Sequence, residues 1–137
     1  MSARSFRLPL GIFYAYFDGE MEPTFKNLLD FIQVNKTDKV FKGYSEEEIV
    51  QMLKDGIEKQ SLYFEQGFDG RIVGCILAEV DHTRKLVFVT ENLSMSLVTL
   101  KRFAAKLKLQ HPGYDIAGKR HGTDRYFDTK KLYTKLI

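Results

Sequence analysis

A chain of 137 residues has room for one ordinary domain, and 44% hydrophobic with 28% charged residues excludes disorder as the default state. A lone cysteine, Cys75, excludes an internal disulfide framework, and no apolar run approaches the roughly 18 residues that span a bilayer. The formal net charge of +3 is unevenly spread: residues 99–137 hold 10 Lys or Arg against 3 Asp or Glu, whereas residues 1–98 are net acidic.

The first apolar run, Leu8 to Phe17, is rich in Phe and Tyr and ends at the turn signal Asp18-Gly19, so residues 1–20 read as an extended arm with a strand. Pro23 opens a helix whose Phe25, Leu28, Leu29 and Ile32 form one apolar stripe. Asn35 to Gly43 is polar and basic, a loop. Ser45 and Glu48 then form a capping box, Glu46 to Glu48 suit the positive end of the helix dipole, and Ile49, Met52, Leu53 and Ile57 supply the buried stripe.

From Ser61 the period changes to two. Leu62–Gln66, Arg71–Asp81 and Leu86–Thr90 read as a three-stranded meander joined by turns at residues 67–70 and 81–85. The middle strand is apolar on both faces, which predicts a central position covered by helices on both sides. A helix over about 96–109 follows, with Leu100, Phe103, Ala104 and Leu107 inward and Lys101, Arg102, Lys106 and Lys108 toward water. Tyr114–Lys119 is a short strand, parallel to the one before the helix, and Thr123 or Asp124 caps a last helix containing Phe127, Leu132, Tyr133 and Leu136.

Few residues stand out chemically. Cys75 has no flanking base and reads as a small buried hydrophobe. His82, His111 and His121 sit at separate turns without metal-ligand spacing, so no metal site is expected. Glu79 on the long strand is a candidate base, against the plainer reading of a solvated carboxylate. Lys101, Arg102, Lys106, Lys119, Arg120, Arg125, Lys130 and Lys131, interleaved with Tyr126 and Phe127, offer charge and rings for nucleic acid or an acidic partner, against the plainer reading of solvated faces.

The order strand, helix, helix, three-strand meander, helix, strand, helix resembles the GNAT acetyltransferase fold. The stretch Asp69-Gly70-Arg71-Ile72-Val73-Gly74 resembles that family's hairpin into its central strand, and Leu132-Tyr133-Thr134-Lys135-Leu136 the end of its last conserved helix. The likeness is clearest over residues 45–137. It implies a single α+β domain over residues 1–137, three-layer α/β/α with a mostly antiparallel, mixed central sheet, truncated at the C-terminus. If the chain is an acetyltransferase, the resemblance implies acetyl-CoA held near Val89, Asn92, Ser94 and Ser96, with Tyr133 as acid and Glu79 as base.

The family's diphosphate turn is rich in glycine, and its counterpart here, Thr90 to Thr99, has no glycine and no basic residue, carries Glu91, and places Met95 and Leu97 where a ligand would need space. A short internal virion protein of podovirus-type phages, which shares the fold without that loop, is also similar. The expectation is therefore a non-catalytic, cytoplasmic or virion interaction protein with no cofactor. It would dock a protein partner or a second copy, with no membrane association. An N-acetyltransferase with an atypical cofactor loop is the first alternative and a nucleic-acid-binding accessory protein the second.

Overall fold

The computed structural model describes residues 4–7, 23–36, 41, 43–67, 69–119 and 126–128. In chain order the elements are β1 (Arg4–Arg7), α1 (Pro23–Asn35), α2 (Glu46–Glu58), β2 (Leu62–Gln66), β3 (Ile72–Asp81), β4 (Leu86–Ser94), α3 (Leu97–Gln110), β5 (Asp115–Lys119) and β6 (Tyr126–Asp128). The strands form one sheet in the order β1-β2-β3-β4-β5-β6. All neighbours pair antiparallel except β4 and β5, which run parallel across the α3 crossover.

The two-residue repeat of the strands sorts the core into two clusters, one on each face. Leu62 and Phe64 of β2 and Cys75 and Leu77 of β3 pack against Phe25, Leu28 and Ile32 of α1 and Leu53 and Ile57 of α2. On the other face Tyr63, Ile76, Ala78 and Val87 pack against Phe103 and Leu107 of α3. This is the expected α/β/α layering. Gly74 lets α3 come close, because a Cβ there would lie 2.6 Å from Thr99 Cγ2 and 3.2 Å from the Phe103 ring. The α2 start is as expected: Ser45 Oγ accepts from the Glu48 N–H while the Glu48 carboxylate accepts from the Ser45 N–H.

The arm expected over residues 1–20 supplies an edge strand at Arg4–Arg7, paired with β2, while the Leu8–Phe17 run lies outside the described residues. Three expectations are corrected. Strand β4 does not end at Thr90 but runs to Ser94, held by pairs from Leu77↔Glu91 to Gly74↔Ser94. Tyr126–Asp128 is a strand and not part of a helix, since β5 presents a free edge that these β-favouring aromatics can pair. The remainder of the expected last helix, Tyr133 included, lies outside the described residues. Finally, Arg102 faces water only in part: its side chain is 38% exposed and its Nη1 lies 3.0 Å from buried Glu65 Oε1.

Candidate functional site

The register shifts between Leu77 and Ala78: Ala78 pairs with Val89 but Leu77 pairs with Glu91, which leaves Thr90 as the extra residue of a β-bulge. Thr90 Oγ1 donates to the Leu77 carbonyl at 3.2 Å, tying the bulge to its neighbour. One extra residue exchanges the faces of everything after it. Val87 and Val89 therefore lie with α3, whereas Leu93 lies with α1 and α2. Glu91 follows Leu93, and its carboxylate accepts the Phe41 N–H at 3.4 Å in the α1–α2 connection. The negative charge expected to repel a diphosphate is thus turned to the face opposite α3.

The bulge is also where the sheet opens. Parallel pairing of β4 with β5 ends at Val89↔Gly118, while β4 continues for five residues paired to β3 alone among the described residues. Among the described residues no further strand pairs with residues 90–94 on the β5 side, and the strand leads from there into α3. The α3 cap is Ser96, whose Oγ accepts the Thr99 N–H at 3.2 Å; Ser94 hydrogen-bonds Asn92 instead. The first-turn N–H groups of Leu97 and Val98 have no partner among the described residues, as helix starts leave them, and no acidic residue lies in that turn. Met95, Leu97 and Val98 are 54–61% exposed, so their side chains face solvent around the helix start. Asn92 and Ser94 lie on the stretch of β4 beyond its pairing with β5 and Ser96 caps the helix that follows, whereas Val89 is the last residue paired with β5 and is buried.

Beneath the helix start lies a group that sequence reasoning missed. The Glu65 side chain is fully buried in β2, accepting from Thr99 Oγ1 at 2.9 Å and from Arg102 Nη1 at 3.0 Å. A buried carboxylate is tolerated only when paired and hydrogen-bonded, and here both partners belong to the first two turns of α3. The network fixes the helix start over the sheet. Alternation with Tyr63 placed Glu65 on the α3 face, but its partners lie 34 and 37 residues away, beyond any local signal.

Glu79 is exposed on β3. It shares a cleft of about 180 Å³ with Thr90, Met52, Asp55 and Lys59, beside the bulge. Cys75 is buried, and burial, then the Glu91 charge, push its thiol pKa far up, so it is no nucleophile. Of the basic residues, Arg102 pairs with Glu65, Lys101 and Lys106 are half-buried, and Arg120, Arg125, Lys130 and Lys131 lie outside the described residues, as does the side chain of Lys119. Among the described residues no group of His, Cys, Asp and Glu could hold a metal ion, and no helix is long and apolar enough to cross a membrane.

No family model matches the chain, and no curated protein matches it by sequence. Solved structures do. A GNAT superfamily phosphinothricin acetyltransferase from Sinorhizobium meliloti, in complex with AcCoA, superposes with a TM-score of 0.53 at 12% identity, covering 99% of this chain and 74% of that one. A probable acetyltransferase superposes with a TM-score of 0.51 at 7% identity, covering 97% and 87%. These neighbours overturn the expectation of a non-catalytic phage or virion protein: the shared architecture is that of acetyltransferases, and neither neighbour is a virion protein. One element of that expectation had already shifted, since Glu91 is turned to the face opposite α3. The chain therefore has a GNAT-like α+β fold.

Proposed function

We propose that the chain is an N-acetyltransferase that takes its donor along the open edge of β4 and the start of α3. The carrying observation is the β4 edge: pairing to β5 stops at Val89 while β4 runs on to Ser94 and toward a helix whose Leu97 and Val98 amides have no partner among the described residues. The fit to acetyl-CoA follows from those groups. An open strand edge can pair an extended, amide-bearing chain as a further strand would. The Leu97 and Val98 N–H groups, at the positive end of α3, suit a diphosphate. The side of the turn that glycines would leave bare carries Met95 and Leu97, which makes the rim apolar without adding negative charge.

When bound, acetyl-CoA supplies a thioester whose carbonyl carbon bonds the amine nitrogen as the C–S bond breaks and the thiol departs with a proton. Glu79, in the cleft beside Thr90, is the base that takes the proton from the attacking ammonium. Tyr133 is proposed as the acid that returns one to the departing sulfur. Titration of the protein with acetyl-CoA by calorimetry tests the proposal: micromolar binding is expected, and Glu79→Gln should keep that affinity while lowering amine-dependent thiol release by about 10²-fold or more. No heat change at millimolar acetyl-CoA would sink the reading.

A further inference from the structure

A second cleft, of about 530 Å³, is also lined by Glu79, and its size suits a small-molecule ligand. It opens where β2 has not yet begun: among the described residues the last bond to β3 on that side is Ala78 N–H to the Ser61 carbonyl, and beyond it β3 pairs only with β4. The two-residue repeat places the Val80 N–H on the same open edge as that of Ala78. Basic side chains converge on this space from four parts of the chain, the cations Arg7 from β1 and Lys59 after α2 and the imidazoles His82 after β3 and His111 after α3.

Arg7 is held in place across the cleft. Its Nη1 donates to Gln60 Oε1 at 3.1 Å, and the guanidinium lies 5.5 Å from the centre of the Tyr63 ring. His82 is likewise fixed, with Nδ1 2.7 Å from the Tyr114 hydroxyl. Tyr63, Val80 and Leu107 give the wall an apolar stretch, and Glu79 is the one carboxylate among the residues that line it. Fixed cationic side chains, an apolar stretch and a single carboxylate lining one cleft match a ligand with a carboxylate, an apolar side chain and an ammonium group. Nearby Asp81 is already paired, 2.8 Å from Arg84 Nε.

Glu79, Ala78, Ser61 and Lys59 line both clefts, so an ammonium held at Glu79 sits next to Thr90 and the opening of the sheet. We infer that this cleft binds the acceptor, and that the acceptor is an amino carboxylate with an apolar side chain. Its role as acceptor rests on the acetyltransferase reading; its capacity to hold the zwitterion does not.

Titration of the full chain with L-phenylalanine, phenethylamine and phenylpropionate, followed by amide chemical shifts without acetyl-CoA, separates these points. Phenylalanine should bind at least about tenfold more tightly than either half, as loss of one charge-assisted pair implies. Arg7→Gln and, as a variant that leaves β1 untouched, His82→Gln should each weaken phenylalanine binding while leaving phenethylamine binding unchanged. Equal affinity for phenethylamine and phenylalanine, or no saturable shift around Val80 and His111 with phenylalanine, would overturn the inference. Phenylalanine binding without any acetyl-CoA binding would leave this site standing and remove the acetyltransferase reading. Acetyl transfer to phenethylamine as fast as to phenylalanine would do the reverse.

Discussion

At Gly74 the absence of a side chain sets the distance between α3 and the sheet. The Thr99 methyl that a Cβ would strike cannot swing aside without giving up its hydroxyl bond to buried Glu65. Gly74→Ala should therefore destabilise the fold by about 1–3 kcal/mol, the usual range for overpacking, read as a lower urea midpoint; an unchanged midpoint would mean that α3 does not pack this closely. Cys75 offers a check on the other face. Buried, with a thiol pKa pushed far up, it should react with a thiol reagent only as fast as the protein unfolds, so reagent concentration should not change the rate. Both residues were visible in the sequence, Cys75 with its right environment and Gly74 only as the end of a hairpin signature. The Glu65 network was not, because a carboxylate in a short strand looks solvated until its partners arrive from a distant helix.

Secondary-structure elements were legible wherever local chemistry set them. The Ser45–Glu48 box marked the start of α2, and the helix read over about 96–109 set the start of α3 next to its Ser96 cap. Ser45→Ala and Ser96→Ala should each lower stability by about 1 kcal/mol, measured by thermal or urea unfolding. Ser96→Ala alone should also weaken acetyl-CoA binding, since it disturbs the turn that presents the Leu97 and Val98 amides. Equal donor affinity in both variants would argue against binding at the α3 start. The bulge was not legible. Val87, Val89, Glu91 and Leu93 share one parity in the sequence, and nothing in Thr90 announces that the later two exchange faces. Reading β4 as ending at Thr90 followed from that hidden step, as did counting Glu91 against a phosphate ligand. The short β6 was hidden for another reason, since three residues gain strand character only from the edge of β5.

Over the whole molecule, the two-faced apolar pattern of β3 predicted the α/β/α layering, and the chain order predicted the parallel step between β4 and β5. Charge distribution was less informative, because the basic surplus after residue 99 includes an arginine used inside the fold. The acid response of the whole domain should depend on His111. Burial, then the charges of Arg7 and His82, lower its pKa in the folded state, so below the ordinary histidine value of about 6.5 the unfolded chain binds more protons than the folded one. Stability contributed by the neutral form is then complete above that value and lost as pH falls below it. His111→Gln should flatten the decline in unfolding midpoint between about pH 7 and pH 5; an unchanged slope would assign the acid sensitivity to other groups.

The account turns on where the donor binds, and a backbone-amide chemical-shift titration with acetyl-CoA observes that directly. The predicted result is saturable shifts concentrated in residues 90–98 and at Gly118, where β5 parts from β4. Shifts absent from that edge, or confined to the cleft around Arg7 and His111, would contradict it.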